Sequence, residues 1–224
     1  ITVFGDSNKI VSCKVFCTDT VAYSETDYFI NISPDYKTFH SIGNLVDSCY
    51  IEKNTKSIPH KGHLGHGYCL NTRYFHKLCD DGNGYCYDST KKYLILRDNI
   101  IQNSISKNIF GAFFLRGDGT KYNIIKNCKS LSIGYIELNA SCSYNVFENC
   151  YIKDTYYFDN NISLWRMPGV FFASSYFGQL DVINCPDIEG NSYPWETKYG
   201  PHHNSFYNCI FENVSSAICM SEYC

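Results

Sequence analysis

A six-residue segment recurs along this chain, and its spacing restricts the fold more than any other feature. Its copies are Asn8-Lys-Ile-Val-Ser-Cys13, Asn44-Leu-Val-Asp-Ser-Cys49, Asn99-Ile-Ile-Gln-Asn-Ser104, Asn123-Ile-Ile-Lys-Asn-Cys128, Asn145-Val-Phe-Glu-Asn-Cys150 and Asn204-Ser-Phe-Tyr-Asn-Cys209. A weaker copy is Val182-Ile-Asn-Cys185. Asn99 and Asn123 are 24 residues apart, and Asn123 and Asn145 are 22 apart. A near-constant period of this size marks a solenoid, in which each repeat buries its apolar side only by stacking on the next. Wider gaps, such as Asn145 to Asn204, leave room for loops inserted between coils.

A second set of segments alternates with the first: Gly67-Tyr-Cys-Leu-Asn71, Gly84-Tyr-Cys-Tyr-Asp88, Gly111-Ala-Phe-Phe-Leu-Arg116, Gly134-Tyr-Ile-Glu-Leu-Asn139, Gly169-Val-Phe-Phe-Ala173 and Ala217-Ile-Cys-Met-Ser221. Each is short and apolar or aromatic, and most open on Gly, which turns a sharp corner at no steric cost. Each coil then carries at least two strands, each pairing with its equivalent one coil along, about 4.8 Å away. The prediction is an all-β, right-handed parallel β-helix with coils of about 22–24 residues. One domain spans residues 1–224, with an aromatic loop insertion over 154–203. Alternation within the rung sends the middle apolar residue inward. Asn is expected to take the left-handed turn, and its stacked amides to hydrogen-bond from coil to coil. An antiparallel sandwich gives no reason for the repeat, and the Leu-x-x-Leu-x-Leu framework of a leucine-rich horseshoe is absent.

The 224 residues include 13 cysteines, a density that usually signals a secreted disulfide scaffold. The count is odd, so at least one is unpaired within the chain. Set at the rung period, they form a ladder of their own and are expected to pack mostly as small buried thiols. Stacked pairs such as Cys128 with Cys150, or Cys69 with Cys86, remain open to bridging where Cα separations allow. A net charge of −3 gives no sign of a nucleic-acid partner. No apolar run approaches the roughly 20 residues of a membrane span. The chain opens at Ile1 without Met or a signal peptide and stops after a strand-like stretch, with no capping segment evident. It reads as a piece of a longer protein.

Four stretches carry a family resemblance: Gly65-His-Gly-Tyr68, Leu115-Arg-Gly-Asp-Gly-Thr-Lys-Tyr-Asn123, Ser143-Tyr-Asn-Val-Phe-Glu-Asn-Cys150 and His202-His-Asn-Ser-Phe-Tyr-Asn-Cys209. They resemble the pectate-lyase-like β-helix superfamily, and more closely its extracellular "right-handed β-helix region" proteins. The resemblance covers residues 60–224, with weaker coverage before. It implies an extracellular, cell-surface or virion-surface location and dealings with a polysaccharide or cell-surface glycan. The superfamily holds polysaccharide lyases, glycoside hydrolases, epimerases, tailspikes and noncatalytic fibres, so the fold does not select a reaction.

Gly65-His66-Gly67 and Asp80-Asp81 are similar to two motifs of polygalacturonase-type hydrolases, which act through paired carboxylates. Their order is reversed here, and the family's Asn-Thr-Asp and Arg-Ile-Lys motifs are missing. Asp80-Asp81-Gly82-Asn83-Gly84 also has the composition of a plain turn. A lyase needs a cation against a uronate carboxylate and a base for the adjacent proton. Arg116, Lys121 and His66 are the candidates, with Asp81 as a catalytic carboxylate. Stacking of the Gly-led strands would bring Asn71, Asp88, Arg116 and Glu137 near one edge of a common face, as a sugar groove or as a plain ionic ladder. Trp165 and Trp195, with Tyr156, Tyr157, Tyr176, Tyr193 and Tyr199, supply aromatic surface for sugar stacking, or for burying the insertion itself.

His60, His63 and His66, with His202-His203, have ligand chemistry, but their loop setting guarantees no common face, so no metal site is assigned. Ca²⁺ is the one cofactor considered, at Asp81 and Asn83, although Lys92 stands where an EF-hand loop needs its bidentate Glu. Arg116-Gly117-Asp118 is an adhesion-type tripeptide that a coil turn explains equally well. Sequons stand at Asn31, Asn139, Asn161 and Asn213; Pro34 disfavours the first. The leading expectation is a carbohydrate-active or carbohydrate-binding β-helix, lyase- or hydrolase-like if an enzyme. The alternative is a structural or adhesive fibre segment, tailspike-like and noncatalytic, forming homo-oligomers or filaments.

Overall fold

The computed structural model describes residues 1–17, 28–34, 40–53, 65–72, 76–78, 85–87, 95–109, 111–117, 119–139, 142–159, 163–173, 201 and 203–220. They form a right-handed parallel β-helix with three long sheets. One six-stranded sheet is built from the repeating rung: Lys9–Val11, Leu45–Asp47, Ile100–Gln102, Ile124–Lys126, Val146–Glu148 and Ser205–Tyr207. A second follows each rung: Lys14–Cys17, Tyr50–Lys53, Ile105–Lys107, Lys129–Leu131, Tyr151–Lys153 and Ile210–Glu212. The third has seven strands: Thr2–Val3, Tyr28–Ile32, His66–Asn71, Gly111–Arg116, Tyr135–Asn139, Val170–Ala173 and Ile218–Met220. Short strands at His40–Ile42, Ile95–Arg97 and Thr120–Lys121 line one remaining edge.

Pairing is in register from coil to coil, so like residues stack on like. Val46, Ile101, Ile125 and Phe147 stand in one column, all essentially buried. The Phe147 ring stacks on Phe206 of the next coil at 4.9 Å and 12°. The column meets Ile51 and Ile152 from the second sheet and Leu70, Phe113, Leu115, Ile136 and Leu138 from the third in one core.

The asparagine ladder exists and runs unbroken. Each amide Nδ2 donates to the Oδ1 of the next: Asn8 to Asn44 at 3.0 Å, Asn44 to Asn99, Asn99 to Asn123 and Asn123 to Asn145 at 2.9 Å, and Asn145 to Asn204 at 3.0 Å. The same Oδ1 also accepts the backbone N–H of the preceding asparagine, as Asn145 does from Asn123 at 3.1 Å. The second amide hydrogen goes to a carbonyl one coil back, as from Asn123 to Leu96 at 3.0 Å. Each buried amide is thereby satisfied on both sides.

The expected left-handed asparagine turn is made at the rung's second polar position, beside the cysteine, and not at its first. The ladder asparagines are not left-handed; the residue before each of them is. Ser7, Asp98, Tyr122, Tyr144 and His203 have φ of 53° to 56°, and Gly43 has 68°. A second left-handed column, Ser12, Ser48, Asn103, Asn127, Asn149 and Asn208, precedes each rung cysteine or Ser104. So the rung's two polar positions divide the work. Its first Asn faces inward and bonds; its second small polar residue turns the corner between the six-stranded sheets, where Asn tolerates positive φ.

Cys13, Cys17, Cys49, Cys69, Cys128, Cys142, Cys150, Cys209 and Cys219 are free thiols, and six of these nine are buried. In the rung column, Cys128 Sγ donates to the carbonyls of Lys126 at 3.2 Å and Ile101 at 3.6 Å. Ser104 takes the same place in its coil, its Oγ donating to Gln102 at 2.7 Å.

One expected coil strand is not one. Tyr85–Tyr87 pairs antiparallel with His76–Leu78, placing Cys86 opposite Lys77 in a separate hairpin. Cys69 therefore stacks in the seven-stranded sheet and Cys86 does not stack on it. Its motif was a Gly-led copy, but Asn-Gly punctuation on its N-terminal side also suits a hairpin. Within 154–203, Tyr156–Asp159 and Ser163–Arg166 form a second antiparallel hairpin, while Val170–Ala173 rejoins the coil.

Candidate functional site

The seven-stranded sheet has one face on the core and one turned away from it. Tyr68, Leu70, Phe113, Leu115, Ile136 and Leu138 fill the core side. Alternation puts the second and third of three rows on the other side, and an irregular pairing brings the first there. The first aligns His66, Gly111 and Tyr135; the second Cys69, Phe114, Glu137, Phe171 and Cys219; the third Asn71, Arg116 and Asn139. An irregularity between Gly111 and Phe113 absorbs one extra residue, so that His66 and Glu137 share a face although their strands are not adjacent.

His66 lies flat in a notch. A side chain at Gly111 would occupy the place of the imidazole ring, so the absence of a Cβ there makes the room. The ring packs on Phe114 at 4.3 Å, and Tyr28 lies against both, its centroid 5.5 Å from His66 and 6.1 Å from Phe114. His66 Nε2 is 3.6 Å from Glu137 Oε2, longer than a short hydrogen bond, with the two side chains 7% and 13% exposed. Tyr135 Oη donates to Glu137 Oε2 at 3.2 Å and Asn139 Nδ2 to Oε1 at 3.3 Å. Burial pushes the Glu137 carboxyl up, but His66, Asn139 and Tyr135 together outweigh it and hold it below its ordinary 4.5.

That depression fixes a sign. A carboxyl whose folded pKa is lowered stabilises the fold fully above its unfolded value, and the gain disappears as pH falls through the folded value. Acid unfolding of the native chain is therefore expected to steepen below about pH 4.5, the ordinary carboxyl value. Glu137→Gln should flatten that limb in a denaturant series run at stepped pH. An unchanged slope would mean the carboxyl is not held by its neighbours.

Several polar atoms on this face are buried without a hydrogen-bond partner among the described residues: His66 Nδ1 and the Oδ1 atoms of Asn31, Asn71 and Asn139. Asn31 aligns with Cys69 on the adjoining strand. Asn71 uses its Nδ2 on the Tyr28 hydroxyl at 3.2 Å, leaving the carbonyl oxygen over. All four can accept a proton donor.

Of the residues expected from sequence, His66, Asn71, Arg116 and Glu137 come to this face, with Glu137 one row from Asn71 and Arg116. Arg116 is half-buried there and outside the core. Lys121 belongs to another sheet, paired with Arg97. Trp165 sits opposite Tyr157 in the second hairpin. Asp81, Asp88, Trp195 and Asn161 lie outside the described residues, as do His60, His63, Asn83, Lys92, Asp118 and His202. Asn139 is half-buried on its strand with Nδ2 engaged by Glu137, whereas Asn213 is exposed with Nδ2 donating to Asp154 at 2.8 Å. Tyr28, Phe114 and Tyr135 were missed. The alignment of Gly111 with His66 in the two Gly-led segments was the available signal for the notch.

No group of three or more metal-binding side chains converges among the described residues, and no helix among them is long and apolar enough to cross a membrane. Comparisons with family models, curated proteins and solved structures give no match.

Proposed function

We propose that this β-helix binds a hydroxyl-rich polysaccharide on the outer face of the seven-stranded sheet, with His66 and Glu137 as an acid–base pair at its centre. The observation that carries the reading is the set of acceptors, His66 Nδ1 and three asparagine oxygens, gathered on one face with no hydrogen-bond donor among the described residues. An unsatisfied buried acceptor costs about 1–3 kcal/mol. Sugar hydroxyls are donors that would recover it. Half-buried Tyr28, stacked on the buried Phe114, adds apolar ring surface beside these atoms, which suits the C–H faces of a sugar. Arg116, in the same row as Asn71 and Asn139, supplies a cation for a uronate carboxylate.

Glu137 is held ionised and lies against His66, so the imidazole has a carboxylate to orient it. That arrangement suits proton abstraction next to a uronate carboxyl, or protonation of a leaving glycosidic oxygen. The resemblance to pectate-lyase-like proteins points the same way, and to an extracellular or surface setting.

Affinity electrophoresis through gels carrying neutral and uronic polysaccharides tests the reading. At least one polymer should retard the native chain, and Asn71→Leu should weaken that retardation about tenfold, the worth of one hydrogen bond. New reducing ends would mark hydrolysis; an unsaturated uronate product would mark a lyase. Free migration through every polymer, combined with assembly into trimers or filaments, would replace this reading with the fibre one.

A further inference from the structure

We propose that Cys150 and Cys209 form a thiol–disulfide exchange site, which a small-molecule disulfide of the glutathione type closes into a bridge between neighbouring coils. Both residues stand in the rung column at equivalent positions of successive coils. The backbone holds them side by side, with Ile210 N–H donating to the Cys150 carbonyl at 2.8 Å and Asn149 N–H to the Tyr207 carbonyl at 2.9 Å. Strands paired in this way lie about 4.8 Å apart. That falls inside the range of about 4.4–6.8 Å over which Cα atoms are spanned by a disulfide.

The column is not uniform. Cys128 and Cys150 are buried in the core, whereas Cys209 only packs against it and keeps partial exposure. Only Cys209 of these three is open to a co-reactant. The hydrogen bond from the Cys150 thiol lowers Cys209 to about 7. Cys150 itself is pushed far up, first by that hydrogen bond and then by burial. Burial likewise pushes Cys128 up to about 12, which keeps it a thiol. A thiol that ionises near ambient pH is the best attacking group in exchange.

The steps balance. Cys209 thiolate attacks one sulfur of the small disulfide, forms a mixed disulfide and releases one small thiolate. That thiolate takes the proton of Cys150. Cys150 sulfur then attacks Cys209 sulfur, the mixed bond breaks and the second small thiolate leaves, taking from water the proton that Cys209 gave up on ionising. The protein gives up two electrons and two protons, and the small disulfide becomes two thiols. The bridge joins the rung at Cys150 to the one at Cys209 across a long stretch of chain, where loop closure gives a cross-link most effect.

The test uses the reduced chain, incubated with oxidised glutathione near pH 7, alkylated, digested and mapped by mass spectrometry. The expected product is a peptide pair joined through Cys150 and Cys209, formed equally well in Cys13→Ser and absent in Cys209→Ser. The mapping of the native chain stands whether or not the serine variant folds. A bridge through Cys128 and Cys150, arrest at the glutathione adduct of Cys209, or an alkylated Cys209 would each overturn the proposal.

Discussion

Asn123→Ala is expected to lower the unfolding free energy by about 3 kcal/mol, the penalty for stranding several buried polar groups. Its Oδ1 accepts both Asn99 N–H at 3.1 Å and Asn99 Nδ2 at 2.9 Å, and its own Nδ2 donates to Asn145 Oδ1. All these groups are buried, so no water replaces them. Asn127→Gly, four residues away, is the comparison. Asn127 is exposed, at φ 53°, and donates to Asn103 at 3.2 Å on the surface. Gly adopts that φ freely, and the cost should stay within about 0.5 kcal/mol, typical of a surface change. Urea unfolding of the two variants separates the cases. Equal losses would show that the inner ladder contributes no more than a solvated turn.

Gly111→Val should weaken polysaccharide retardation at least tenfold, the effect of losing about 1.4 kcal/mol of binding. The new Cβ falls on the His66 ring, which must leave its notch against Phe114. His66 then moves away from Glu137, and the face loses one acceptor and its acid–base pair together. Crowding a packed site also costs stability, about 1–3 kcal/mol. Gly43→Asn distinguishes the two effects: a Cβ there meets only Ser7 Oγ at 3.9 Å, and Asn tolerates its φ of 68°. Unaltered retardation in Gly111→Val would remove His66 from the site.

The coil and its inner ladder were legible because both are periodic: Asn99, Asn123 and Asn145 announce themselves by spacing alone. The left-handed column just before the ladder was not, because Ser7, Gly43, Asp98 and Tyr122 differ in side-chain chemistry and share only a backbone angle imposed by the corner. Tyr85–Tyr87 misled because a short apolar strand behind a Gly serves a hairpin as well as a coil. His66 and Arg116 were legible as candidates. Their grouping with Tyr28, Phe114 and Tyr135 was not, since it depends on the extra residue between Gly111 and Phe113, which shifts one strand against the next.

The corner between the two six-stranded sheets has one further consequence. Each of the six described coils makes it with two residues, such as Ser48-Cys49, Asn103-Ser104 and Asn149-Cys150, and none of these copies is lengthened. The long stretches, such as Cys17 to Tyr28, Lys53 to His66, Asn71 to Ile95 and Ala173 to Ser205, all adjoin strands of the seven-stranded sheet on one side. The chain thus has a closed spine and an open margin. Between described strands, sequence length varies only where the chain enters or leaves the seven-stranded sheet, so insertions at those strand ends leave the ladders in register.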